Sequence, residues 1–135
     1  YAEAQKYLQD YANRRGADLG MGTDASRALV NAANPGVQTP KGAALSVVSV
    51  IKGLERMQAA QVAAAQAEKI PPERYNEWRA TWNRSVDPAA FAPPKLTKVE
   101  WEAKRKSMGD KWDAYAKGLQ AALNAKVITP SDIRK

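Results

Sequence analysis

Apolar positions along this chain recur at helical spacing and do not alternate. Tyr1, Ala4, Leu8 and Tyr11 fall at i, i+3, i+7 and i+10, the stripe of an amphipathic helix expected over 1–15 and ending near Gly16. A second, shorter helix is expected over 24–33, capped by Thr23 or Asp24, with Ala25, Ala28, Leu29 and Ala32 on one face. Val47, Val50, Ile51, Leu54 and Met57 mark the buried stripe of a long helix over 41–68. Pro71 and Pro72 open the next, over 72–85, and Asp87-Pro88 closes it with a tight turn that tucks Phe91 inward. Trp101, Met108, Trp112, Tyr115, Leu119 and Leu123 predict a last long helix over 98–126. Valine, isoleucine and threonine do not gather into alternating runs, so no strand is expected. The expected fold is all-α: about five helices, the long ones antiparallel, packed as an irregular bundle in one domain over 1–135.

Between the second and third helices runs "NAANPGVQTPKGAALSV", which raises the question of a phosphate-gripping loop. Such a loop needs GxxxxGK followed by Ser or Thr, so that backbone N–H groups approach phosphate while lysine and hydroxyl point inward. Here Lys41 precedes Gly42 and no hydroxyl follows it. As punctuation, every residue has a place. Pro35 halts one helix, Gly36 permits a left-handed backbone, Thr39 caps the next helix and Pro40 fills its first turn. The stretch reads as a hinge, with positive φ at Gly36 and no phosphate on Lys41. The upstream Gly16, Gly20 and Gly22 run GxxxGxG, the reverse of a dinucleotide fingerprint, and read as a helix terminator and turn.

Composition narrows the chemistry. The 135 residues hold no cysteine and no histidine, which removes disulfides, thiolate nucleophiles, imidazole metal ligands and Ser-His-Asp triads. The carboxylate pairs Glu73/Glu77 and Glu100/Glu102 sit among lysines and arginines on exposed helix faces, where nothing would push their pKa values apart. The expectation is no enzyme, no cofactor and no metal site. No apolar run approaches the ~20 residues of a transmembrane helix. The chain opens inside an apparent helix, and "ITPSDIRK" begins another at Thr129, Pro130 and Asp132 with no room to continue, so it reads as a fragment of a longer polypeptide.

Net charge is +7: +2 over residues 1–70 and +5 over 71–135. The basic second half singles out Lys104, Arg105, Lys106 and Lys111 as candidate contacts to nucleic acid or an acidic partner, against the plainer reading of a solvated face. Tyr75, Trp78 and Trp82 lie at i, i+3 and i+7 among Arg74, Arg79 and Arg84. That pattern suits a base-stacking platform or, preferred here, an aromatic rim of the core with snorkelling arginines. From Ala59 to Ala67 the third helix turns to alanine and glutamine. Ala59, Ala60, Ala63, Ala64 and Ala67 are candidates for packing a partner helix, because so thin a helix end should gain its order from another helix or subunit.

The order "LVNAANPG", "TPKGAALSVVSVIKGLERM", a Trp-bearing helix and then "VDPAAF" resembles, over roughly residues 25–95, segments of large virion-associated proteins of tailed bacteriophages and prophages. The resemblance implies a structural and interaction segment of an internal or DNA-ejection component. Such a component resides in the virion, is delivered into the host envelope on infection, and is assembled in multiple copies with other virion subunits. It allows non-specific contact with DNA. Those proteins are sometimes fused elsewhere to a peptidoglycan-cleaving domain, but no catalytic motif of that kind occurs here. The alternative is a small basic nucleic-acid-binding helical module.

Overall fold

The computed structural model describes residues 2–33 and 40–135, with the side chains of residue 3 and of residues 6–33 and 48–135. It is all-α. The helices are α1 (Ala2–Asp18), α2 (Thr23–Ala32), α3 (Pro40–Ala67), α4 (Tyr75–Ser85), α5 (Lys98–Met108), α6 (Trp112–Asn124) and α7 (Pro130–Ile133). Among the described residues there is no strand, only an isolated parallel bridge between Leu96 and Arg134. The hinge expected around Gly36 lies outside the described residues, as does the side chain of Lys41.

The packing centre is the short 3-10 turn Pro88–Phe91, which touches α2, α3 and α6. Pro88 presets the first turn, and the Asp87 carboxylate accepts the Ala89 N–H at 2.9 Å. The Asp87 N–H donates to the Ala114 carbonyl at 3.0 Å, and the Arg56 guanidinium donates to the Phe91 carbonyl at 3.2 Å. With its polar groups partnered, the turn enters the interior. Ala90 and Phe91 are fully buried, so the expected inward tuck of Phe91 is what the chain does. Around it Leu29, Val50, Met57, Trp82, Tyr115 and Ala122 complete the core.

Small residues set the α1–α2 contact. A Cβ on Gly16 would stand 2.6 Å from Ser26 Oγ. Gly16 is therefore a close-approach position inside α1, which runs on to Asp18 instead of ending there. The terminator is Gly20, at φ +78°: Met21 N–H bonds the Gly16 carbonyl at 2.8 Å and Gly20 N–H the Ala17 carbonyl at 3.0 Å, a Schellman cap. The buried residues of α2 are Ser26, Leu29 and Val30, a face turned one residue from the alanine face expected. Ser26 can be buried because its hydroxyl donates to the Ala12 carbonyl at 3.2 Å. The N-cap is Gly22, without a side-chain bond, in place of Thr23 or Asp24.

The same cap ends α3 and α6, but with lysine in the left-handed position: Lys69 at φ +55° and Lys126 at φ +59°. Ile70 N–H bonds Ala65 O at 3.1 Å and Lys69 N–H Gln66 O at 3.1 Å; Val127 and Lys126 repeat the pattern on Ala122 and Leu123. A lysine there is strained by about 1 kcal/mol relative to glycine. Lys126→Gly should therefore raise stability by about 0.5–1 kcal/mol, read as a higher denaturation midpoint; a drop would mean the lysine side chain holds something the cap geometry does not.

The helix expected over 98–126 is two helices. Gly109, at φ +58° and ψ −125°, ends α5 in a conformation open to glycine and not to other residues, and a 3-10 turn over Gly109–Lys111 leads into α6. In one straight helix Trp101 and Tyr115 would be ~21 Å apart along the axis. Their rings lie 6.2 Å apart, and those of Trp101 and Trp112 6.3 Å, so α5 folds back on α6. Thr97 and Glu100 form a capping box at the start of α5. At the other end, α7 stops at Ile133 and Arg134 turns extended. Leu96 N–H bonds Ile133 O at 3.2 Å, Lys135 N–H bonds Leu96 O at 3.0 Å, and the Trp101 indole N–H donates to Ile133 O at 2.6 Å.

Candidate functional site

Three helices border one open groove of about 470 Å³. From α3 come Ala60, Ala63, Ala64 and Ala67; from α4 Trp78, Thr81, Trp82 and Ser85; from α6 Lys117, Gln120, Ala121 and Asn124. Each set is spaced i, i+3, i+4, i+7, so each helix turns one continuous face toward the same space. The alanines leave one wall nearly flat, which lets another helix approach closely. Polar groups stay at the rim, where Glu68 and Lys117 are the two charged residues.

The sequence singled out Ala59, Ala60, Ala63, Ala64 and Ala67. The fold brings the last four to this groove; Ala59 lies off it. Ala60 is buried, Ala63 and Ala64 half-buried, and Ala67 exposed. Gln61 and Ala65, on the other side of this helix end, are buried within the chain. The helix end is thus ordered in part by its own neighbours, while its Ala63/Ala67 edge remains open.

Trp78 and Trp82 line the groove from α4, and Tyr75 extends their aromatic ladder. Their ring centroids step by 5.9 and 6.2 Å, and Trp82 continues to Phe91 at 6.2 Å. Trp82 is buried and the other two half-buried. The Trp78 indole donates to Glu68 at 3.1 Å, the Tyr75 hydroxyl to Gln61 at 3.1 Å, and Gln61 to Asn83 at 3.0 Å. Asn83 in turn donates to the Leu19 carbonyl at 3.0 Å. The ladder is a core rim in which the Tyr75 hydroxyl and the Trp78 indole are partnered, and Arg79 lies against the Tyr75 ring at 5.9 Å.

The candidate basic cluster does not form one patch. Lys104 lays its ammonium 4.9 Å over the Tyr115 ring, while Arg105, Lys106 and Lys111 are exposed. Successive helical residues point ~100° apart, so Lys104, Arg105 and Lys106 fan around α5. Nor do the neighbouring carboxylates pair with them. Glu100 accepts from Thr97 N–H at 2.9 Å and meets Lys135 at 3.8 Å; those Thr97 bonds, then Lys135, hold its carboxyl below the ordinary range. Sequence reasoning missed the groove's α4 and α6 walls, whose Thr81, Ser85, Gln120 and Asn124 look like ordinary solvated positions.

Tyr115 carries the most perturbed titration. It is 1% exposed, its hydroxyl finds no hydrogen-bond partner, and burial, with the Asp87 charge second, pushes its phenol well above the usual range. Above the ordinary tyrosine pKa near 10 the unfolded chain releases this proton and the folded chain keeps it. Stability should therefore fall with rising pH there, by up to about 1.4 kcal/mol per unit. Tyr115→Phe should abolish that part of the alkaline loss and, by removing an unpartnered hydroxyl, leave stability at pH 7 unchanged or raised; equal alkaline slopes in both proteins would contradict this.

No helix among the described residues is long and apolar enough to cross a membrane. None of the family models, curated proteins or solved structures compared with this chain matches it.

Proposed function

We propose that this chain is a structural and interaction segment that assembles through the alanine-walled groove, with a second copy of the chain as the occupant. The observation that carries the reading is the convergence of three i, i+3, i+4, i+7 faces on one open groove. Its charge suits a copy of itself: Glu68 and Lys117 are the groove's one acidic and one basic residue, so a twofold arrangement that sets Glu68 of each copy against Lys117 of the other pairs opposite charges. The resemblance to tailed-phage virion proteins supplies the setting, an internal or DNA-ejection component of the particle built from many copies. In this reading the surplus positive charge keeps the segment compatible with packaged DNA or an acidic partner, and the chain performs no catalysis.

Sedimentation equilibrium tests the assembly. The 14.7 kDa chain should gain apparent mass as its concentration rises, and Ala67→Arg, which changes an exposed groove residue, should hold it at monomer mass with an unchanged thermal melt. A wild-type chain at monomer mass over the whole range would end the self-assembly reading.

A further inference from the structure

A second groove, about 400 Å³, lies where α5, α6 and α7 meet, and it shares no lining residue with the first. Its floor is apolar, with Trp101, Trp112 and Leu119. Its rim holds Lys98, Arg105 and Arg134, all exposed, against the single carboxylate of Glu102. Among the described residues none of the three cations has a carboxylate within ion-pair distance, and the Trp101 indole N–H is already spent on the Ile133 carbonyl. The Trp112 indole N–H is then the floor's remaining donor, and the rest of the polar recognition falls to three unpaired cations.

We propose that this groove binds an acidic protein segment, one that inserts a bulky apolar side chain between flanking carboxylates. Charge complementarity selects the carboxylates. Arginine in particular takes a carboxylate through two parallel N–H bonds, and Arg105 and Arg134 come from different elements, so they can hold carboxylates on either side of the anchor. A nucleic-acid strand fits less well. The two indoles meet at 65° and present no pair of parallel faces for successive bases, and Glu102, between Lys98 and Arg105 on α5, interrupts a phosphate track. The proposal does not rest on self-assembly.

The test titrates the whole chain with a capped peptide, Glu-Asp-Phe-Asp-Glu, following tryptophan fluorescence at low ionic strength. Comparison probes are the same peptide with amides in place of its carboxylates, the same with alanine in place of phenylalanine, and a thymidine dodecamer. The acidic, phenylalanine-bearing peptide should bind best, weaken with salt, and lose tenfold or more in affinity in Arg105→Glu/Arg134→Glu. Lys106→Glu/Lys111→Glu, reversing charges outside the groove, should lose no more than its general electrostatic share, within about threefold. Circular dichroism melts of both double variants establish folding independently. No binding, equal binding of the amide peptide, tighter binding of the dodecamer, or equal losses in the two double variants would each overturn the proposal.

Discussion

Gly118→Val should destabilise the protein by about 3 kcal/mol, at the upper end for overpacking. A Cβ on Gly118 would stand 2.7 Å from the Ala90 Cβ and 3.1 Å from the Asp87 carbonyl oxygen. Neither can yield: Ala90 is fully buried, and Asp87 is tied by its backbone N–H to Ala114 and by its carboxylate to Ala89. To admit a side chain, α6 must lift from the 3-10 turn, and the burial of Phe91 and Tyr115 goes with it. Gly22→Ala is the contrast, since nothing lies within 4 Å of that Cβ; its cost should be no more than about 1 kcal/mol, that of placing alanine at the N-cap of α2. Urea denaturation reads both as midpoint shifts. A Gly118→Val protein as stable as wild type would mean that α6 and the turn are not in close contact.

Phe91→Ala should cost about 3–5 kcal/mol, the range for emptying a fully buried aromatic site. Phe91 lies against Trp82 at a ring distance of 6.2 Å, in the turn on which α2, α3 and α6 pack. The cavity would open where the backbone is least free to collapse, because Arg56 and Ala114 hold the turn at both ends. Near-UV circular dichroism should lose tryptophan signal as Trp82 loosens. An unchanged midpoint and spectrum would remove the turn from the centre of the fold.

These two positions also show what the sequence could reveal. Asp-Pro-x-x-Phe is a local signal, and the inward Phe91 follows from turn chemistry alone. That Gly118 is a contact residue is not local: within α6 it reads as a mild defect of helix propensity, and only the turn arriving against it gives it a purpose. The long periodicity over 98–126 concealed the break at Gly109, because its apolar spacing is satisfied on either side of a bend. Lys69 and Lys126 carry no sequence mark of left-handed geometry, since glycine usually fills that place. The alanine wall was legible as a thin, unsupported helix face. The other two walls were not, because their polar members, Thr81 and Ser85 on α4 and Lys117, Gln120 and Asn124 on α6, acquire a shared direction only when α4 and α6 are placed.

Thiol accessibility at Ala67 measures the central claim most directly, and the cysteine-free chain allows it without background. In Ala67→Cys the single thiol lies at the edge of the alanine-walled groove, and in Ser107→Cys it lies on the exposed side of α5, away from that groove. If copies of the chain cover the groove, maleimide labelling of Ala67→Cys should slow several-fold as protein concentration rises through the range of self-association, while Ser107→Cys labels at a constant rate. A labelling rate at Ala67→Cys that stays constant while the apparent mass increases would place the assembly surface elsewhere and contradict the account.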